Sequence, residues 1–366
     1  MLLLGFLFGF TNCKMETSNI VFDKKYNKEI QAAKKDFMFY LLGNNIPGGT
    51  VAVMKDGKII YSEGMGLASK DLDVPVTRET KFRVGQLSEL FTSFIYLRMV
   101  EEGILNPDSI VQHYFPDFPE KEFPITLRQL ADQTSGLRDE TNKELDGREL
   151  NISLLKGIDN FKNDTLFYMP GMVQTECMFH YNLLGAVMEK ASKKHFNKIL
   201  KDYVTDTLAL AHTELDNPFV TIKGRTNFYD YSFISQTINA TFRDMRYKAP
   251  SQGVLSNAED LVKFGNAVFN SNILSDKTKE EMFKPAILYK NIPANFTNGW
   301  ILLYNQENSP IVGRSGEVTG GNSSLVVYPE YDLIVAFTTN LNSSNYGRVI
   351  FDIAKHFTPK SEENKE

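Results

Sequence analysis

Cysteine is nearly missing from this 366-residue chain; Cys13 and Cys177 are its only two, so no disulfide framework can be built. Histidine is scarce as well. The five present, His113, His180, His195, His212 and His356, never fall at the short spacing of a zinc-binding helix, and Cys177 has no cysteine near it, so no metal site is expected. Positive charge is not in excess: 40 Lys and Arg against 45 Asp and Glu give a formal charge of -5, which argues against a broad nucleic-acid surface. Gly64-Met65-Gly66 is followed neither by a third glycine at dinucleotide spacing nor by a Walker lysine. No cofactor is indicated. Internal repeats and low-complexity blocks are absent too, which sets aside arrays and disordered scaffolds. What remains is an ordinary globular balance, 42% hydrophobic and 23% charged, on a chain long enough for two lobes.

The N-terminus departs from that balance. Residues 1–10 are apolar and run into Thr11-Asn12-Cys13 before the chain turns polar. The run is too short to span a bilayer and reads as an export signal, with Cys13 where a bacterial lipoprotein signal leaves its lipidated cysteine. It lacks a basic residue ahead of the apolar stretch, and Phe10-Thr11-Asn12 is a loose form of the usual approach to the cysteine. Residues 14–24 then make a polar tether, 25–358 the folded domain, and 359–366 a polar tail. The expected location is outside the cytoplasm, periplasmic or outer-membrane-associated if the source is bacterial.

Within the domain, residues 27–42 place Ile30, Phe37, Tyr40 and Leu41 at helical spacing and stop near Gly43. Thr50-Val51-Ala52-Val53-Met54 and Lys58-Ile59-Ile60-Tyr61-Ser62 read as strands joined by a tight turn at Asp56-Gly57. Residues 87–102 carry an apolar stripe through Leu90, Phe91, Phe94, Ile95 and Leu97, and Gly103 supplies a stop. Pro170-Gly171 leads through a loop to an amphipathic helix from Tyr181. Ser256 or Asn257 caps another helix with Glu259 in its first turn. Strand-like runs between 313 and 340 complete the sheet begun near residue 50, and 347–357 gives the terminal helix.

One stretch carries the chemistry. Phe82-Arg83-Val84-Gly85-Gln86-Leu87-Ser88-Glu89 resembles the F-R-I-G-S-x-S-K segment of the beta-lactamase-related, penicillin-recognising serine hydrolases, which include class C beta-lactamases, D-alanyl-D-alanine carboxypeptidases and esterase-like members. Ile125-Thr126-Leu127-Arg128-Gln129-Leu130 leading to Gln133-Thr134-Ser135-Gly136-Leu137 is similar to the family phrase T-L-R-x-L-L-x-H-T-S-G-L. The resemblance covers roughly residues 25–358. It implies an α/β (α+β) fold of the beta-lactamase/transpeptidase type: an antiparallel sheet flanked by helices, built from about 25–85 and 250–358, with a mainly helical lobe inserted at about 86–249.

The same resemblance implies that the reaction centre is degenerate. Gln86 stands at the nucleophilic serine and Glu89 at its lysine; a carboxamide cannot be acylated and a carboxylate cannot act as the amine. Spacing from Pro170-Gly171 puts Glu176-Cys177-Met178 at the Tyr-x-Asn element. Arg314-Ser315-Gly316 falls at the His-x-Gly or Lys-Thr-Gly element, and arginine stays protonated at ordinary pH. The oxyanion-hole N–H groups would be those of Gln86 and Glu317, which survive side-chain change. Glu89 and Glu176 are expected to face Arg314 across the old cleft.

Substitute chemistries are weak. Ser88 has Phe91 three residues on, so it makes no Ser-x-x-Lys; Ser153-Leu154-Leu155-Lys156 matches that pattern without the surrounding context. Cys177 and His180 are a conceivable thiolate and base, and Glu89 with Glu176 a conceivable acid and base pair. Neither has a recognisable third element. No catalytic residue is therefore expected. The leading expectation is a noncatalytic binding or envelope-associated protein that takes a cell-envelope peptide, a small molecule or a protein, held at a membrane through its lipid. The rival is an esterase or peptidase with an unfamiliar nucleophile.

Overall fold

The computed structural model describes residues 20–141, 144, 150, 153–304, 309–343 and 346–359; the leader, Cys13 and the tail from 360 lie outside the described residues. A short strand, Ile20–Phe22 (β1), precedes the first helix, Asn27–Gly43 (α1). Asp56 and Gly57 both have positive φ, 51° and 69°, the requirement of a two-residue hairpin turn, and they join Gly48–Lys55 (β2) to Lys58–Ser69 (β3). The remaining sheet strands come late in the chain: Phe296–Thr297 (β4), Trp300–Tyr304 (β5), Pro310–Val318 (β6), Gly321–Tyr328 (β7) and Leu333–Thr339 (β8). Their order across the sheet is β1-β3-β2-β8-β7-β6-β5-β4, antiparallel throughout. Val74–Pro75 adds a short edge to β3.

Both faces of this sheet are covered, which is why its central strands are apolar at nearly every position. Val51, Val53, Val335 and Phe337 point to one side, where Ile30, Phe37 and Tyr40 of α1 meet Val349, Ile350 and Ile353 of the terminal helix, Tyr346–Ala354 (α5). Ala52, Met54, Ile334 and Ala336 point to the other, towards the helices Leu87–Glu101 (α2), Met178–Ser192 (α3) and Ala258–Asn270 (α4). Phe264 is the hub on that side. Its ring lies 4.6 Å from Phe91 and 5.8 Å from Phe94, both edge-on, and stacks on Trp300 at 6.4 Å. Truncating a buried ring in such a setting costs about 3–5 kcal/mol.

Two helices differ from their sequence reading. The stripe expected on α2 belongs to a helix that is buried all round up to Leu97, with Ser88, Glu89, Thr92 and Ser93 inside as well. Thr92 Oγ1 donates to the Pro250 carbonyl at 2.7 Å and Ser88 Oγ accepts from Val254 N–H at 3.1 Å, so neighbouring chain on the polar side satisfies these groups. Helix α3 starts at Met178, three residues before Tyr181, because Asp139 Oδ1 accepts the Met178 N–H at 3.3 Å. The cap expected on α4 is Asn257, whose Oδ1 accepts the Asp260 N–H at 2.8 Å.

A small second sheet aims α2. Phe82–Arg83 pairs with Val254–Ser256, which pairs in turn with Glu214–Leu215. The Val84 N–H then reaches the Val254 carbonyl at 3.1 Å, fixing the chain just ahead of residue 86. Among the described residues no helix is long and apolar enough to cross a membrane, and no cluster of metal-ligating side chains occurs.

Candidate functional site

The site is set by how tightly the turn before α2 presses on β6. Gly85 has φ 53°, and a Cβ there would stand 2.8 Å from the Glu317 nitrogen; a Cβ on Gly316 would stand 2.1 Å from the Val84 carbonyl oxygen. Only glycine fits at either crossing. Ser323 Oγ fastens the same turn by donating to the Val84 carbonyl at 2.7 Å. Gln86 is thereby laid against β6, and its Oε1 accepts the Glu317 N–H at 2.7 Å. Of the two backbone donors expected to form an oxyanion hole, that of Glu317 is thus occupied by the protein's own amide. The Glu317 carboxylate turns elsewhere, receiving Asn342 Nδ2 at 2.9 Å and the Tyr346 hydroxyl at 3.2 Å.

One turn further along α2, Glu89 enters a charged cluster. Arg314 Nη2 donates to Glu89 Oε2 at 2.7 Å, and Gln133 Nε2 donates to the same oxygen at 2.9 Å. Arg314 Nη1 donates to Glu176 Oε1, and the guanidinium lies 4.8 Å from the Phe296 ring centroid. The inner pair is buried, with side chains 1% and 2% exposed, whereas Glu176 is 54% exposed. Burial pushes Glu89 up to about 7 against the pull of Arg314 and Gln133. Burial also opposes the charge on Arg314, but Glu89 and Glu176 outweigh it and hold the guanidinium above its ordinary value. Among the described residues Arg314 Nε and Gln133 Oε1 have no partner. Gln174 closes the cluster from outside: its Nε2 donates to the carbonyls of Asp132 and Phe296, and its Oε1 accepts the N–H groups of Asn295 and Phe296.

The structure therefore brings Gln86, Glu89, Glu176, Arg314, Gly316 and Glu317 together. It does not bring Ser315, Cys177 or Met178 into the cluster. Ser315 Oγ meets Ser324 Oγ at 2.8 Å across the strand pair, Met178 is buried at the start of α3, and Cys177 Sγ donates to the Arg138 carbonyl at 2.7 Å. Burial raises the Cys177 thiol pKa and lowers that of His180 to about 4. His180 Nδ1 contacts the Cys177 carbonyl oxygen at 3.0 Å instead of the thiol, so no thiolate and base pair exists. Ser153 Oγ caps a short helix by accepting the Lys156 N–H at 3.2 Å, while Lys156 Nζ pairs with Asp159, so this match is structural. Ser88 is fully buried.

These positions can be compared with known proteins. A beta-lactamase family model matches residues 28–354. The chain belongs to the beta-lactamase family. Human mitochondrial serine beta-lactamase-like protein LACTB is similar to it, 28% identical over 380 residues, covering 78% of this chain and 69% of that protein. Penicillin-binding protein 4* of Bacillus subtilis (strain 168) is 23% identical, with 84% and 71% covered. Protein flp of Staphylococcus aureus (strain MW2) is 22% identical, and the match spans 62% of its length. Among solved structures, a class C beta-lactamase superimposes with TM-score 0.76 at 18% identity over 92% of this chain and 98% of that one. The octameric penicillin-binding protein homologue from Pyrococcus abyssi gives TM-score 0.76 at 21% identity, covering 88% and 75%. At such identities the superpositions speak for the beta-lactamase fold alone.

Sequence reading missed Gln133, Gln174, Phe296, Asn342 and Tyr346. Gln133 had a signal, since it replaces the histidine of the family's H-T-S-G-L phrase. The other four come from two loops, the short strand β4 and the start of α5, whose approach to the cleft no local pattern announces.

The cluster's electrostatics give a pH signature. In the folded protein Glu89 keeps its proton up to about 7, whereas an unfolded glutamate releases it near pH 4.5, so the unfolded state binds fewer protons between these values and stability falls as pH rises through that window. Glu89→Gln should make the slope of unfolding free energy against pH shallower there. Arg314→Ala should destabilise by about 3–5 kcal/mol well above pH 7, where a Glu89 without its cation must either stay buried and charged or take up a proton against the pH, and by less near pH 5. Urea denaturation at a series of pH values checks both; equal slopes, or an Arg314→Ala penalty independent of pH, would contradict the assignment.

Proposed function

We propose that this protein is a noncatalytic member of the beta-lactamase family that binds a cell-envelope peptide, a small molecule or a protein partner. The observation that carries the reading is the hydrogen bond from the Glu317 N–H to Gln86 Oε1. Serine acyl transfer needs a nucleophile, a proton acceptor and vacant donors for the oxyanion. Here the residue at the nucleophile's place is an amide that itself occupies one of those donors, and the residue at the lysine's place is a carboxylate bound to Arg314. Losing one oxyanion donor costs an acyl-transfer enzyme about 3 kcal/mol, but losing the nucleophile removes the covalent route altogether. The rival nucleophiles are tied into the structure: Ser88 is buried, Ser153 caps a helix, and Cys177 is inside beneath Arg138.

What could remain is recognition at the outer half of the cleft. Glu176 is half-exposed and reaches the buried Arg314 from outside. A ligand carboxylate of similar size could take its place on the guanidinium without disturbing the inner Glu89 pair. The leader, with Cys13 at its end, supports export and lipid attachment as the setting for such binding.

Fluorophosphonate and penicillin probes followed by intact-mass measurement test the noncatalytic reading. No adduct is expected on the native protein, and Gln86→Ser with Glu89→Lys should restore little turnover, because Glu176 and Met178 still lack the second element's chemistry. Stoichiometric labelling at Ser88, Ser153 or Cys177 would overturn it, as would substantial ester hydrolysis by the double variant. For the tether, expression in a bacterial host should give a membrane-bound protein that Cys13→Ala releases; unchanged membrane association would contradict lipid attachment.

A further inference from the structure

A cavity of about 1170 Å³ lies apart from the Gln86 and Arg314 cleft, between the second half of α2, residues 128–134 and the segment 272–287. That is slightly above the range of ordinary small-molecule sites, which run to about 1,000 Å³. Its wall is of two kinds. Leu97, Val100, Ile273 and Pro285 offer an apolar surface, while Tyr96 and Asp132 are polar residues of the same lining. Both polar residues are buried, 2% and 7% exposed. The Tyr96 hydroxyl has no hydrogen-bond partner among the described residues. Burial pushes Asp132 up to about 7 against the pull of the Arg128 charge and of the Asn298 N–H that it accepts, and among the described residues no side-chain cation stands within ion-pair distance of it.

The cations nearby are committed elsewhere or stand in water. Arg128 donates from Nε and Nη2 to Asp108 at 3.0 and 3.3 Å, and its Nη1 is 3.9 Å from Glu281. Arg98 is held by Glu101, Glu102 and the Ile273 carbonyl. Lys277 and Lys284 are exposed at the mouth, where solvent screens them. The cavity thus contains a buried carboxyl with an incomplete set of donors and a hydroxyl with none, beside an apolar surface.

We propose that this cavity binds a small amphipathic ammonium ligand, its cationic head between Asp132 and the Tyr96 hydroxyl and its apolar body on Leu97, Val100 and Ile273. An ammonium has donors only and satisfies both oxygens at once. Above pH 7, where Asp132 is ionised, a carboxylate ligand would meet it with like charge and an alcohol would leave that charge uncompensated. None of Gln86, Glu89, Glu176 and Arg314 lines this cavity.

Phenethylamine, 2-phenylethanol and phenylacetate, equal in skeleton and different in head group, test this by titration of the full-length protein followed by backbone amide shifts. The amine is expected to saturate in the millimolar range, with shifts centred on residues 96–100 and 131–134, and to bind about tenfold or more tighter than either congener. Asp132→Asn should weaken the amine by a similar factor while leaving the alcohol unchanged. Ala286→Trp, which fills the cavity from its wall, should abolish binding of all three and carries the test alone if Asp132→Asn does not fold. Equal affinity for amine and alcohol, no saturable amine binding, shifts centred away from residue 132, or amine binding retained in either variant would each overturn the proposal.

Discussion

The close crossing of Gly85 over β6 at Gly316 and Glu317 is the constraint from which the rest of the site follows. No side chain fits at either glycine, so the first turn of α2 lies against the strand with backbone facing backbone. In a serine enzyme of this fold that contact would aim a hydroxyl at a carbonyl held by two N–H groups. In this chain the same contact delivers a longer, planar amide. Its oxygen reaches the position an acyl oxygen would take and accepts the Glu317 N–H. The geometry that makes the family's chemistry possible is therefore what closes it here.

The charged cluster one turn on has a different balance. Taking Glu89 and Arg314 out of water costs several kcal/mol for each ion, and at Glu89 the attraction of Arg314 with Gln133's hydrogen bond returns only part of that amount. Net stability is consequently a poor account of why the pair exists. Its geometry is more telling: Arg314 links α2 to the loop before α3 through Glu89 and Glu176, and Phe296 packs on the guanidinium. Gln174 then ties the chain at Asp132 to the start of β4 at Phe296 over it. The replacements are mutually consistent, since each charge brought in is met by its opposite.

Much of this was legible in the sequence, and the reasons differ by element. Asp56-Gly57 fixed the first hairpin because positive φ at two successive residues is rarely met otherwise, and α1 followed from apolar spacing on a helix with one solvent face. The expected meeting of Glu89, Glu176 and Arg314 rested on spacing within a family frame, and all three do converge. The stripe on α2 is buried as its spacing implied, but periodicity did not show that Ser88, Glu89, Thr92 and Ser93 on the other faces are buried as well. Cys13 and the leader lie outside the described residues. The occupation of the Glu317 N–H was not legible: a motif shows that serine has become glutamine, but not that the amide is long enough to fill the donor it faces. Likewise Asp132 and Tyr96 belong to no motif, and only the packing of three segments encloses a cavity beside them.

The account turns on whether Gln86 itself occupies the Glu317 N–H. Glu317 is exposed, so protection of that amide from solvent exchange has to come from its hydrogen bond. Hydrogen exchange followed residue by residue in the native protein and in Gln86→Ala measures this directly. The account predicts a slowed Glu317 amide in the native protein that exchanges much faster in the variant while its neighbours in β6 keep their rates; a Glu317 amide equally fast in both would contradict it.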